Sequence, residues 1–576
     1  MENDNNFSKF DRRFFDATDD FTIIGSGSIG GKAKGLAFIK KHLLENPDLQ
    51  ELKDIKVNIP RLTVISTDFF DEFMQTNNLY EVALSDESDS VIANKFLKGE
   101  LSINLIGDLR GLISHVSSPL AIRSSSMLED AMYEPFAGIY TTKMIPNNQL
   151  DEDTRFKRLI EGIKFVYAST FFKKAKDYIS AVGKDSKDEK MAVIIQEVVG
   201  SRYGNRYYPE ISGVARSYNY YSFGKSKPED GVVNLALGLG KTIVDGGISW
   251  TYTPAFPNIS PPYGSLKDLI DNTQRDFWAV NMEKPYMYDP VNESEYLIKS
   301  DINDAEEDGT LNYVCSTYDI SSERVKPGTG YSGPRILNFN PILDLNLISL
   351  NNLLKKLMKI SEDAIGTPVE IEFAMTLNKD GKLSPRFGFL QVRPMVVTND
   401  EVLIEEKEFS DALFSSNYVL GNGTVDYIED VVFVKPESFD VSNTEIIAGE
   451  IESLNRKLKD KNKKYLLVGF GRWGSTDKWL GIPVEWGQIS NAKVIVEAML
   501  PQFDVELSQG SHFFHNINSF QVLYFSVKSD KVDDIDWKHF SESETITELK
   551  FTKHVHLKKP LMIKVDGRTA KGVILK

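Results

Sequence analysis

The first two thirds of the chain alternate between short apolar runs and stretches with a helical repeat. "FTIIG" (21–25) predicts a strand, leading through glycines into a helix, "KAKGLAFIKKHLLEN". "IPRLTVIS" (59–66) predicts a second strand, and 68–115 reads mostly as helix. "PLAIRSSS" (119–126) is a strand that runs into hydroxyls, and 151–182 returns to helical spacing. "MAVIIQEVV" (191–199) has the unbroken apolar character of a buried strand, and "SGVARSYNYYSF" (212–223) alternates.

Residues 250–345 are rich in Pro, Asp, Asn and Tyr, with little periodicity except near 294–300. "LISLNNLLKKLMKISEDAIG" (347–366) is an amphipathic helix with a glycine stop. "VEIEFAMTLNKDGKLSPRFGFLQVRP" predicts two strands around a turn. The acidic stretch 396–415 reads as a linker or a bridging helix. Residues 416–576 mix strands and helices as a separate module, with a charged helix at "EIIAGEIESLNRKLKDKNKK" and a closing hairpin around Asp566-Gly567. No internal repeat is visible.

A chain of 576 residues exceeds one domain. With 41% hydrophobic and 11% aromatic residues it can build real cores. A net charge of −16 argues against a general nucleic-acid binder, which needs surplus Lys and Arg along a backbone. A small anionic ligand needs only a few local cations. The single cysteine, Cys315, rules out an intrachain disulfide and suits a reducing cytoplasm. The opening "MENDNNFSKFDRRFF" lacks the basic-then-apolar order of a signal peptide, and no run reaches 18 apolar residues. A cytoplasmic protein is expected.

Gly25, Gly27 and Gly30 match G-x-G-x-x-G after a strand and before a helix. A dinucleotide fold needs an acid at the end of the next strand, but that strand ends in Ser66 and Thr67. The P-loop pattern fails as well. Lys32 would need a glycine where Ser26 stands and a hydroxyl where Ala33 stands. Lys241, in "LGLGKTIVDGG" (237–247), would need a glycine where Leu235 stands. Both loops are then either ordinary strand-to-helix turns or cradles offering backbone N–H groups and a lysine to an anion.

"VEIEFAM" (369–375) puts Glu370 and Glu372 on one face of a strand. "FLQVRP" (389–394) puts Gln391 and Arg393 on one face of the next. A solvent-facing strand is the plain reading. Paired, the two strands would gather two carboxylates, an amide and a guanidinium, a set suited to Mg2+ and phosphate.

A glycine loop with GGK, then R-S-S, F-A-G, G-L-G and E-I-E…L-Q-x-R-P stand here in one order over roughly 20–396. In this order they resemble the nucleotide-binding domain of the phosphoenolpyruvate synthase and pyruvate phosphate dikinase family. The resemblance implies an α/β (α+β) fold with an ATP-grasp-like pair of lobes, 21–200 and 201–396. A loose N-terminus (1–20), a linker (397–415) and a smaller α/β module (416–576) complete the chain. It implies that Lys32 and Arg123 reach the ATP phosphates, with Ser124 and Ser125 beside them and Gly138 of "PFAGIY" over them. Gln196 of "QEVV" would lie on the strand next to adenine. Gly240 and Lys241 would belong to the second loop, with a lysine where the family has an acid. Glu370 and Glu372 would face Mg2+, or one of them ribose instead, and Gln391 and Arg393 would complete the phosphate end.

Two family features are not expected within these residues. There is no T-S-H-A-A-type phosphoacceptor motif, and too few residues follow Pro394 for a pyruvate-binding barrel. Gly510-Ser511-His512 faintly echoes the acceptor motif, so His512 is a candidate acceptor, or His512 and His515 are structural. A zinc site there lacks a third ligand. Trp473, Trp479 and Trp486 cluster among glycines near Arg472, as a ligand platform or as core fillers. The expected activity is phosphoryl transfer from Mg-ATP. The acceptor would be His512, a histidine on a separate phosphocarrier protein, or a small molecule, and Arg123 and Arg393 would stabilise the moving charge. No nucleic acid or membrane partner is expected. The alternative is an ATP-responsive binding or regulatory protein that has lost the reaction.

Overall fold

The computed structural model describes the chain except residues 1–6, 14, 16–19, 45, 47, 48, 50–53, 128–137, 220–224, 260–265, 272, 286, 380, 381, 396–401, 476, 478, 500–516, 518–521, 529–534, 536 and 568. It divides into two compact units. The first holds 1–217, 232–243 and 248–394; the second holds 395–576 with the excursions 218–231 and 244–247.

Two six-stranded sheets form the frame of the first unit. One runs in the order Ser8–Lys9, Phe21–Ile24, Leu62–Ile65, Met191–Glu197, Leu120–Ser126 and Thr142–Ile145. Its first three strands are parallel and the rest join antiparallel. The apolar runs around 62 and 191 sit at its centre, which is why they do not alternate. The helix Glu152–Ser169 starts on the carboxylate of Asp151, which accepts from the N–H groups of Asp153 and Thr154. Its inner face places Tyr167 among Phe70 and Phe73.

The other sheet runs in the order Trp250–Tyr252, Val232–Ala236, Ile211–Arg216, Val369–Lys379, Lys382–Pro394 and Lys56–Asn58. The helix Leu350–Ile365 packs against it, burying Leu350, Leu353, Leu354, Leu357 and Met358. Each such side chain contributes about 1.5–3 kcal/mol relative to exposure. The helix stops at Gly366, whose φ of +83° suits glycine and whose N–H reaches the Glu362 carbonyl at 2.7 Å.

The second unit is built on a nine-stranded sheet. Its centre is four parallel strands: Gly423–Val434, Tyr465–Phe470, Ala492–Ala498 and Leu523–Val527. The long hairpin of Thr552–Asp566 and Lys571–Leu575 extends one side antiparallel. The sequence 396–415 contributes the helix Glu406–Asp411, whose Glu408 pairs with Lys564 at 2.5 Å. Residues Phe414–Ser416 add a strand against Lys571–Leu575. Trp473 and Trp486 are buried, and Trp473 donates its indole N–H to the Val496 carbonyl at 3.1 Å. They are core fillers; Trp479 is exposed.

Candidate functional site

Strand register decides which side chains meet. Val369–Lys379 lies antiparallel to Lys382–Pro394, with Glu370 opposite Arg393 and Glu372 opposite Gln391. The face expected from the alternation of "EIE" and "QVR" therefore forms. On its other side Ile211–Arg216 places Arg216 opposite Glu370 and Val214 opposite Glu372.

Glu370 is 1% exposed and engages two guanidiniums. Arg393 Nε donates to its Oε1 at 2.7 Å, and Arg393 Nη2 makes a second, very short contact there. Arg216 Nε donates to Oε2 at 2.6 Å. Arg216 also reaches Asn234 Oδ1 at 3.3 Å, and Asn234 donates to Thr251 Oγ1 at 2.7 Å. Nothing in the sequence motifs flagged Arg216. It lay in view in the alternation of "SGVARSY", but only the pairing of distant strands brings it to Glu370.

Arg123 connects the two sheets. From Leu120–Ser126 of the first sheet it donates to the Leu390 carbonyl at 3.0 Å and to Gln391 Oε1 at 2.9 Å, both on the second. It also donates to Gln196 Oε1 at 3.0 Å. Gln196, expected beside adenine, thus sits against this arginine. Glu372 lies 3.5 Å from Arg123 and 3.8 Å from Arg393, beyond the spacing of close charge-assisted hydrogen bonds.

These groups comprise three guanidiniums against two carboxylates, largely out of water. Such a set carries a net positive charge in a medium that screens poorly, and favours an anion. The more open end is Arg123 and Glu372, with side chains 12% and 16% exposed against 5% for Arg393. Among the described residues no group of three or more His, Cys, Asp or Glu is arranged to hold a metal. Mg2+ usually needs only one or two carboxylates when phosphates supply the other oxygens, and Glu372 fits that donor set.

The glycine loop is fastened to this site by Ser125. Its hydroxyl accepts from the Ala33 N–H at 3.1 Å and donates to the Ile29 carbonyl at 2.8 Å. Gly30 has φ +75°, and a Cβ there would lie 1.7 Å from the Ser125 carbonyl oxygen. The staple thereby joins the first turn of Gly30–Leu44, with the largely buried Lys32, to the strand that carries Arg123 and Ser124. At the loop's start the Asp68 carboxylate accepts from Ser26 N–H at 3.0 Å. Burial opposes ionisation of Asp68, but hydrogen bonds from Ser66, Ser26 and Gly27 outweigh it and hold its pKa below the usual range. The first N–H groups of the loop thus serve this carboxylate.

In the second loop Gly238 is the constrained glycine, with φ +82° and a would-be Cβ 2.6 Å from the Trp278 carbonyl oxygen. Ser212 Oγ donates to the Gly238 carbonyl at 2.6 Å, tying the loop to the strand of Arg216. Gly240 precedes the short helix Lys241–Val244, and the Lys241 ammonium lies 5.8 Å from the Trp278 ring centroid. Gly138 has φ +64°, while 135–137 of "PFAGIY" fall outside the described residues. His512 and His515 also fall outside them.

Residues 26–412 match the family model of the pyruvate phosphate dikinase AMP/ATP-binding domain. The chain belongs to this family. The expected ATP-grasp-like α/β domain is therefore present, and AMP or ATP is the ligand class of this dikinase-type domain. The matched span contains the Ser125 staple, Arg123 and the Glu370–Arg393 pair. No curated protein matches the chain. Among the described residues no helix is long and apolar enough to cross a membrane.

Proposed function

We propose that the first unit binds Mg-ATP and transfers a phosphoryl group from it to a histidine or a small-molecule acceptor. The observation that carries this reading is Arg123, which spans the two sheets of an AMP/ATP-binding domain and meets Gln391 beside Glu372. Arg123 and Arg393 would hold the phosphate oxygens, and Lys32 would approach from the first turn of its helix. Gly138 and the loop of Gly240 and Lys241 would line the same ligand. Glu372 would hold the Mg2+, which supplies charge neutralisation on the phosphates.

In the reaction a bond forms between the acceptor atom and a phosphorus of ATP. The bond from that phosphorus to the bridging oxygen breaks, and the remaining nucleotide leaves with the electron pair. Positioning and electrostatic stabilisation supply most of the catalysis in such transfers, so no protein base is assigned. His512 and a histidine of a separate phosphocarrier are the protein acceptors to test.

Incubation of the full chain with β- and γ-labelled ATP tests the proposal. Acid-labile label on the chain, lost in His512→Ala, identifies an internal acceptor. Label moving to an added carrier or small molecule identifies an external one. Saturable ATP binding with no transfer across these acceptors would replace transfer with ATP-responsive binding or regulation.

A further inference from the structure

Two rungs cross the second sheet side by side, and they differ in charge. One is Arg216–Glu370–Arg393, a carboxylate directly opposite a guanidinium on each neighbouring strand. The other is Val214–Glu372–Gln391, a carboxylate with no cation opposite it on either side. The two acids, alike in the sequence, therefore stand in different chemistry.

In the first rung both Glu370 oxygens already accept guanidinium N–H groups, and the side chain is almost fully buried. A hard cation would need the same lone pairs and would have to approach two fixed positive charges. In the second rung Glu372 is the more exposed acid, and Arg123 and Arg393 stand 3.5 and 3.8 Å from it. Its lone pairs face partners that a metal could displace. Arg216 is itself held by Asn234, which is held by Thr251, so the first rung is braced from the far side.

We infer that Arg216 is a positioning residue: acting through Glu370, it fixes the Arg393 guanidinium for the nucleotide phosphates and closes Glu370 to metal, leaving Glu372 as the carboxylate that takes the divalent cation. This rests on the reading of the site as an ATP site. Glu370 is then a brace between two arginines, and the site holds one divalent ion through protein carboxylate.

The test counts Mn2+ by electron paramagnetic resonance on the full chain at saturating ATP, with ATP affinity measured in parallel. Wild type and Glu370→Gln are expected to hold one Mn2+ per bound ATP, whereas Glu372→Gln weakens Mn2+ binding about tenfold or more. Arg216→Met is expected to weaken ATP binding about tenfold with the Mn2+ count unchanged, and Arg216→Lys to recover part of the loss. Two Mn2+ per ATP in wild type, or equal loss of Mn2+ in Glu370→Gln and Glu372→Gln, overturns the assignment. So does unchanged ATP affinity in a folded Arg216→Met. If Arg216→Met does not fold, the wild-type count and the Glu370→Gln and Glu372→Gln comparison decide. Wild type that binds no ATP takes down the ATP reading as well; ATP binding with either contrary metal result takes down the Arg216 assignment alone.

Discussion

The hydroxyl of Ser125 caps the backbone N–H of Ala33 at 3.1 Å across 92 residues of sequence. With its second bond, to the Ile29 carbonyl at 2.8 Å, it joins the glycine loop and the first turn of its helix to the strand of Arg123, so one hydroxyl ties two segments of the candidate phosphate grip. Ser125→Ala leaves the Ala33 N–H and the Ile29 carbonyl short of a buried partner and is expected to cost about 2 kcal/mol of stability. Gly30→Ala is expected to cost about 3 kcal/mol or more, because it adds a Cβ against the Ser125 carbonyl at a left-handed φ. Urea melts of both variants check this; a Gly30→Ala protein as stable as wild type would contradict the tight approach.

Glu497 offers a pH prediction in the second unit. Burial pushes its carboxyl up to about 7, against smaller opposing effects of the Tyr524 hydroxyl, Arg472 and the backbone N–H of Trp473. Among the described residues its Oε1 meets no hydrogen-bond partner. The folded state therefore keeps a proton that the unfolded chain releases near 4.5. The resulting stabilisation is full below about pH 4.5 and is lost as pH rises through about 7, a swing on the order of 3 kcal/mol. Glu497→Gln should remove this loss. Melting temperatures of wild type and variant compared between about pH 5 and about pH 8.5 should diverge at the alkaline end. Parallel curves would sink the assignment.

Cys315 is fully buried, and burial pushes its thiol up to about 12. It is expected to resist a thiol reagent in the native protein and to react at once in denaturant, since the thiolate is the reactive form. Rapid labelling of the folded chain would contradict this.

Much of the site was legible because alternation is local. "EIE" and "QVR" fix which side chains share a face before any partner strand is known, and the turn between them makes their pairing the natural one. Arg216 was not legible for the opposite reason. Its strand is separated from Glu370 by 154 residues, and register across such a gap is a property of the folded sheet. The same limit hid the staple of Ser125, the place of Gln196 against Arg123, and the service of Asp68 to the glycine loop. It also hid Lys56–Asn58, which leaves its sequence neighbours to pair in parallel with Lys382–Pro394. The tryptophans near 473 were open to two readings because composition does not report burial. Gly469 leaves room for the Trp473 ring, which a Cβ would meet at 2.3 Å.

The central claim is that Arg123, Gln391 and Arg393 form the grip of an ATP site. Calorimetric titration of Mg-ATP into the full chain and into Arg123→Ala tests it most directly. Wild type is expected to show one saturable site. Arg123→Ala, though folded, should lose about 2–3 kcal/mol of binding, the scale of hydrogen bonds to a charged group. Equal affinity in the two proteins would contradict the account.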